Sequence, residues 1–252
     1  MLSERIAAWM RRYLAGSGAR GFVVGLSGGI DSAVVARLAQ LAAPGAVVAA
    51  LLPCHSDPQD EYDAELVAKH FSLTTVRIDL GPAFDTLLAD GQEGLHTLPA
   101  HLREGTPDPA SARVALANIK PRLRMTTLYF LANSLGYLVA GTGNRSEQAI
   151  GYFTKHGDGG SDLLPLGGLV KSEVRALARE LNVPAAIAER TPSAGLWLGQ
   201  TDEQEMGFTY AALERYLEEG PQGVSPALAM KMERLIRSTE HKRALPPIPN
   251  ND

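Results

Sequence analysis

Two serines, two glycines and an aspartate coincide in one short segment, Ser27-Gly28-Gly29-Ile30-Asp31-Ser32. Glycines let a backbone curl closely around an anion, and serine hydroxyls and free backbone N–H groups donate hydrogen bonds to phosphate oxygens. The segment therefore predicts a phosphate-binding loop, with an ordinary strand-to-helix turn as the alternative. It is neither a G-x-x-x-x-G-K-[ST] loop nor a G-x-G-x-x-G dinucleotide fingerprint.

Asp31 determines which ligand the loop holds, because a carboxylate placed among phosphate-binding groups would repel the anion. A divalent cation between the two removes that repulsion. We therefore expect phosphate to be bound here together with Mg²⁺.

The elements around this loop follow from apolar runs and their spacing. An apolar, β-branched run at 22–26 precedes the loop, helical spacing over 32–41 follows it, and a second apolar run covers 47–52. This order predicts a βαβ unit in a buried parallel sheet. The same reasoning predicts a strand at 74–80, another at 137–140, and helices at 60–70, 110–119, 122–135 and 172–181. We expect an α/β fold with a doubly wound, mostly parallel sheet and helices on both faces.

Other boundaries rest on local signals. Ser3 is expected to cap the first helix, and Pro121 is expected to break the helical pattern around it. A capping-box pattern at Thr201 and Gln204 predicts one helix that ends at Gly220. Ser225-Pro226 should begin the last helix, and residues 81–109 should be irregular with a short helical piece at 85–89.

Composition limits the possible functions. The chain has 252 residues and a formal net charge of −4, which favours small-molecule substrates over nucleic acid and one domain spanning 1–252. Its single cysteine, Cys54, excludes an internal disulfide framework and fits the cytoplasm. Neither a signal peptide nor a membrane-spanning stretch is expected.

The loop pattern S-G-G-x-D-S resembles the pyrophosphate-binding loop of the N-type ATP pyrophosphatases. These enzymes adenylate a carbonyl or carboxylate, and a nitrogen or sulfur nucleophile then displaces AMP. Several segments between Asn118 and Ser193 are similar to the ammonia-dependent NAD synthetases. The most specific of these segments is G-Y-F-T-K-H-G-D-G-G-S-D-L-L-P-L, at 151–166.

This resemblance implies a role for each matching residue. It implies ATP contacts for Leu26, Ser27, Gly28, Gly29, Ile30, Asp31, Ser32, Thr142, Lys171 and Ser193. It implies Mg²⁺ ligation by Asp31 and Glu147, and deamido-NAD contacts for Arg122, Lys155, Asp162, His241 and Lys242. Catalytic roles fall to Asp158, Lys171 and Ser193, with Asp158 positioning the substrate or ammonia. It also implies a homodimer that uses free ammonia.

Simpler interpretations stay open beside these roles. The basic run at 120–124 could be a solvated helix face, and Glu147 could be only a helix cap. Glycines near Asp158 could form a turn, and His241-Lys242 could be an ordinary basic helix end. The rival functions are the ATP-pyrophosphatase part of GMP synthetase, a tRNA-thiolating enzyme, and a module that senses ATP without turnover. One cysteine and a negative net charge count against sulfur transfer to RNA.

Overall fold

A computed structural model gives the structure of the protein over residues 1–103, 109–192 and 201–249. Four strands form the sheet: β1 (Phe22–Gly25), β2 (Val47–Leu51), β3 (Thr75–Arg77) and β4 (Leu138–Val139). The first helices are α1 (Leu2–Ser17), α2 (Ile30–Ala42), α3 (Pro58–His70), α4 (Gly81–His96), α5 (Ala100–Arg103), α6 (Pro109–Ala117) and α7 (Ile119–Leu135). The later ones are α8 (Arg145–Ile150), α9 (Lys171–Glu180), α10 (Ala185–Ala188), α11 (Asp202–Met206), α12 (Tyr210–Glu219) and α13 (Pro226–Ser238), with short 3-10 turns at Pro221–Gly223 and Glu240–Lys242.

The sheet is parallel and has the strand order β3-β2-β1-β4. Phe22 of β1 pairs with Val47 on one side and with Leu138 on the other. Because all these strands run the same way, their carboxyl ends meet at one edge, where ligands bind in open α/β sheets. The predicted α/β fold with a helix-flanked parallel sheet is confirmed.

Apolar side chains fill both faces of the sheet. Phe22 and Val24 point into a core shared with α1, α2 and α9, while Val23 points into a second core beneath α4 and α7. A third cluster, around Leu213 and Met232, joins α12 and α13 to Ile150 at the end of α8. In the described part of the chain, no helix is long and apolar enough to cross a membrane.

The start of α1 differs from the prediction. The N-cap is Met1, and Ser3 lies inside the helix, where its hydroxyl donates to Glu180 Oε1 at 2.5 Å. The expected Ser3 cap is therefore wrong, because a partner on α9 binds that hydroxyl instead.

The segment predicted to be irregular begins with a long helix, α4 (Gly81–His96). Pro82 stands in its first turn, where its missing N–H costs nothing, and a Cβ at Gly91 or Gly94 would meet no neighbour within 4 Å. These exposed glycines weaken the helix without breaking it, at roughly 1 kcal/mol each. Pro121 likewise sits in the first turn of α7, so the helical pattern is interrupted at Asn118 instead.

The single helix predicted from Thr201 to Gly220 is two helices. The first, α11, ends at Gly207, whose φ of 71° is left-handed. Thr209 then caps α12 by accepting a hydrogen bond from Ala212 N, whereas Thr201 makes no side-chain cap bond. Gly207 was the signal for this break, because glycine commonly ends helices in this conformation.

Candidate active site

The phosphate loop is held in shape by its own side chains. Ser32 Oγ donates to Gly29 O at 2.8 Å and accepts from Ser27 N at 3.2 Å, and Ser27 Oγ donates to Ser32 Oγ at 3.1 Å. Gly28 adopts a φ of 82°, which favours glycine. The loop joins the end of β1 to the start of α2, as predicted, and its geometry is fixed within the protein itself.

A charged cluster lies beside this loop. Lys171 Nζ, at the start of α9, is 2.5 Å from Asp31 Oδ2 and 3.4 Å from Glu147 Oε1. Only 3% of the Lys171 side chain is exposed, so its charge must be paired within the protein. Burial alone would lower the pKa of Lys171, but Asp31 and Glu147 together raise it above its usual value. The structure thus brings together three residues that are far apart in sequence.

Asn144 orients both carboxylates of this cluster. It is fully buried, and its Nδ2 donates to Asp31 Oδ1 at 3.0 Å. Its backbone N–H donates to Glu147 Oε2 at 3.1 Å, and its Oδ1 accepts from Glu147 N, so the two residues form the capping box of α8. The helix-cap interpretation of Glu147 is therefore correct, and the same carboxylate also reaches Lys171. Sequence reasoning did not assign Asn144, although the Asn-x-x-Glu spacing is a capping-box signal.

The residues of this cluster suit a magnesium ion. Two carboxylates converge next to a loop shaped for phosphate, and Mg²⁺ is usually held by one or two carboxylates, water and substrate phosphates. No group of three or more His, Cys, Asp or Glu side chains that could hold a metal occurs among the described residues. Asp31 and Glu147 would thus hold the ion together with phosphate oxygens. Burial raises the pKa of Glu147, although the positive charge of Lys171 opposes this shift.

A cavity of about 420 Å³ opens over the carboxyl ends of the strands. Its lining includes the predicted ATP contacts at the loop except Gly28, and also Thr142, Lys171, Glu147, Asp158 and Lys242. One cavity therefore contains both predicted metal ligands and the two predicted catalytic residues that the structure describes. Ser193 lies outside the described residues.

Three of the predicted substrate contacts, which do not line the cavity themselves, form a chain of hydrogen bonds near residues that do. Arg122 Nε donates to Lys155 O at 3.4 Å, and Lys155 Nζ donates to His241 O at 2.5 Å. Arg122 is exposed at the start of α7, so it is free of the core. The structure brings these three basic residues together, although they lie far apart in the sequence.

Lys242 and Asp158 both line the cavity. Lys242 Nζ donates to Gly151 O at 2.8 Å and to Phe153 O at 2.7 Å, and burial lowers its pKa although Asp158 opposes this. Burial raises the pKa of Asp158, whose Oδ1 accepts from Thr154 N at 2.8 Å. Lys242 therefore attaches the 151–158 loop to the 3-10 turn at Glu240–Lys242.

Asp162 is placed differently from the other predicted substrate contacts. One carboxylate oxygen accepts from Val139 N at 2.7 Å and the other from Tyr129 Oη at 3.1 Å. These contacts fix the segment after 158 to strand β4. Asp162 thus has a structural role that the sequence pattern did not reveal.

Arg190 lines the cavity and was not singled out from sequence. It pairs with Asp60 at 2.5 Å and with Asp63 at 2.8 Å, next to the phosphate loop, and no local motif marks this contact.

Arg124 belongs to the basic run at 120–124, for which a solvated helix face was the simpler interpretation. Its side chain donates to Leu52 O, just after β2, and to Ser56 Oγ, each at 3.0 Å, so it is bonded within the protein rather than solvated.

Comparison with known proteins gives one consistent family. The family model for NAD synthase matches residues 2–246. The NH(3)-dependent NAD(+) synthetase of Carboxydothermus hydrogenoformans is 47% identical over 247 residues, which is 98% of this chain and 96% of the relative.

Solved structures agree with this similarity. The NMN synthetase of Francisella tularensis superimposes with a TM-score of 0.87 at 37% identity, covering 99% of this chain and 97% of that one. The glutamine-dependent NAD+ synthetase of Acinetobacter baumannii, in complex with ADP, gives a TM-score of 0.66 at 25% identity, covering 98% of this chain and 46% of that one.

Proposed function

The chain belongs to the NAD synthase family, and from that membership we infer how its site performs the reaction. It is an ammonia-dependent NAD(+) synthetase, a ligase that amidates deamido-NAD and uses ATP. We assign the steps of this reaction to the phosphate loop, the charged cluster around Lys171 and the basic side of the cavity.

A carboxylate is a poor electrophile, so the first step would join the nicotinate carboxylate oxygen to the α-phosphorus of ATP and release pyrophosphate. The released pyrophosphate would remain at the loop formed by residues 27–32, where Ser27 and Ser32 line the cavity and backbone N–H groups at the start of α2 would bind it. Ammonia would then attack the carbonyl carbon of the acyl-adenylate, and AMP would leave. No covalent intermediate with the enzyme is required.

Lys171 provides the positive charge for both steps. Its ammonium lies between Asp31 and Glu147 at the edge of the loop. A bound Mg²⁺ on those carboxylates would neutralise phosphate charge as a Lewis acid. Lys171 would then turn from the carboxylates to the phosphate oxygens and offset the charge that develops there.

The basic residues at the other side of the cavity would bind deamido-NAD. Arg122 donates to the carbonyl of Lys155, and Lys155 donates to the carbonyl of His241. Lys242 lines the cavity. Asp158 would position the incoming ammonia, and Asp162 would contribute indirectly, through the strand and tyrosine that it holds. Thr142 and Ser193 would contact ATP.

One observation carries this proposal: Lys171 and two carboxylates converge on a preformed phosphate loop in the cavity that also contains Asp158 and Lys242. The test is AMP formation from ATP and Mg²⁺ with ammonium and either deamido-NAD, xanthosine monophosphate or tRNA. We expect AMP only with deamido-NAD. AMP formed with either other substrate would overturn the assignment, and a module that only senses ATP would give none.

The nitrogen donor should be free ammonia, because the chain is 47% identical to an NH(3)-dependent NAD(+) synthetase along 96% of that relative. Ammonium should support amide formation by the isolated protein and glutamine should not. A Cys54→Ala variant is the control, since Cys54 is the single cysteine. Glutamine-driven product that disappears in this variant would refute the prediction.

A second acceptor is supported by the TM-score of 0.87 to the Francisella NMN synthetase. By that likeness, nicotinic acid mononucleotide is a candidate substrate beside the dinucleotide. Comparing kcat/KM for the two acids at saturating ATP decides between them. A preference for deamido-NAD is expected.

We also propose a homodimer located in the cytoplasm. Aromatic side chains that would normally be buried lie at the surface, including Phe130 at 66% exposure and Tyr13 at 42%. Tyr13 Oη donates to the carbonyl of Asp162, so this surface borders the predicted substrate contacts. Sedimentation analysis should give twice the mass of the chain, and a monomer at micromolar concentration would contradict the dimer.

A further inference from the structure

A second buried carboxylate centre lies next to Lys171 and is not used by the mechanism above. Asp202, at the start of α11, is 4% exposed and lines the same cavity. A buried carboxylate needs hydrogen bonds or a counter-charge to offset its desolvation. Its partners therefore indicate what it does.

Two tyrosine hydroxyls lie within hydrogen-bond distance of the Asp202 carboxylate. Tyr210 Oη, at the start of α12, donates to Asp202 Oδ2 at 2.8 Å. Tyr152 Oη lies 3.2 Å from Asp202 Oδ1 and 2.8 Å from Glu205 Oε2, so its single proton goes preferentially to Glu205. Tyr210 is therefore the ring that Asp202 fixes.

The Tyr210 ring reaches the charged cluster. Lys171 Nζ lies 5.3 Å from its centroid, within the range of a cation–π interaction. Lys171 therefore has the Asp31 and Glu147 carboxylates as charged partners and an aromatic face as a further one. When a divalent cation binds the Asp31 and Glu147 carboxylates, the aromatic face of Tyr210 would still hold the Lys171 ammonium inside the cavity.

We propose that Asp202 is a positioning residue: by binding the Tyr210 hydroxyl it fixes the ring that holds Lys171 toward bound ATP. This rests on the proposed function for the step that Lys171 assists. The geometry itself, a carboxylate that holds a ring and a ring that faces an ammonium, does not depend on the identity of the acceptor.

Two paired substitutions separate the ring from its hydroxyl. Tyr210→Leu removes the aromatic face, whereas Tyr210→Phe keeps it and removes only the bond to Asp202. Asp202→Ala removes the anchor, and Asp202→Asn keeps one acceptor oxygen for Tyr210. Tyr216→Phe, on the same helix but outside the cavity lining, is the control for loss of a tyrosine hydroxyl.

The measurements are ATP binding with Mg²⁺ by calorimetry, kcat with saturating ATP and deamido-NAD, and the melting temperature of each variant. For Tyr210→Leu and Asp202→Ala we expect ATP binding weakened roughly tenfold, as the loss of a desolvated cation–π contact would give, and kcat lowered at least as much. Asp202→Asn should stay within about threefold of the wild type, because it keeps an acceptor oxygen for the Tyr210 hydroxyl. Tyr210→Phe breaks the same bond as Asp202→Ala and should lose ATP binding to about the same extent as that variant.

Wild-type ATP binding and kcat in Tyr210→Leu would overturn the proposal, as would wild-type values in Tyr210→Phe. If Tyr210→Leu fails to fold, Asp202→Asn and Asp202→Ala provide the same comparison, and equal values in those two would also overturn it. Failure of the proposed amidation would appear separately, as ATP binding by the wild type without product.

Discussion

Gly28 is a position in the phosphate loop where one added methyl group should strongly destabilise the protein. Its φ is 82°, and a Cβ there would lie 2.4 Å from Asp60 O and 3.0 Å from Asp63 Cβ. The left-handed conformation costs an alanine roughly 1–2 kcal/mol. The overlap is with backbone of α3, which must move by about 1 Å to restore ordinary contact, and such overpacking costs typically 1–3 kcal/mol.

We therefore expect Gly28→Ala to lower the free energy of unfolding by roughly 2–5 kcal/mol and the melting temperature by roughly 5–15 °C. Urea unfolding measures this as a lower midpoint with an unchanged slope. ATP binding should be lost as well, because the loop and α3 move apart.

The neighbouring Gly29→Ala is the matched control. Gly29 has a φ of −83°, and its nearest neighbour to a new Cβ would be Ser27 Oγ at 3.4 Å. Its cost should stay below about 1 kcal/mol, the usual range for a change at a helix N-cap. Equal midpoints for Gly28→Ala and the wild type, or equal losses in both variants, would show that the close contact with α3 does not control the loop.

Three further outcomes are expected from the site. Asp31→Asn should nearly abolish NAD formation with little change in melting temperature, because Glu147 still pairs with Lys171; wild-type activity at limiting Mg²⁺ would contradict the metal assignment. Lys155→Ala should raise the deamido-NAD concentration needed for activity roughly tenfold or more, while ATP binding, titrated separately by calorimetry, should change much less. An equal loss of ATP binding would show that residues 151–166 form a structural part of the site for both nucleotides. Burial raises the pKa of the Cys54 thiol, so its labelling by a thiol reagent should remain slow at pH 8 in the native protein and become fast in urea, and rapid native labelling would refute its burial.

The sheet and its loop were predictable because local signals were sufficient. Apolar runs mark β1 and β2, and the glycines and serines between β1 and α2 have few other uses at a strand end. The prediction of an irregular segment at 81–109 failed because tertiary packing outweighs the low helix propensity of glycine there. The glycine-containing helix α4 is stabilised by burying Phe84 against the second core, which no local count of glycines reveals.

The site was predictable only in part, for a related reason. Asp31, Glu147 and Lys171 could be named from motifs, but their convergence depends on three separate strand and helix ends. Asn144 binds Asp31 from a distant segment, and Asp202 binds Tyr210 across the break between α11 and α12. Buried hydrogen-bond partners of this kind are set by the fold, so a single sequence contains no spacing rule for them.

The attachment of the chain's last turn to the 151–158 loop has a consequence for truncated products. Lys242 Nζ donates to the carbonyls of Gly151 and Phe153 in that loop. A polypeptide cut before residue 239 would retain the segments that form the four described strands and the phosphate loop, yet these two carbonyls would lose their donor. Premature termination or proteolysis before Lys242 would therefore remove the side chain that holds this loop of the acceptor side without changing any residue of the phosphate loop.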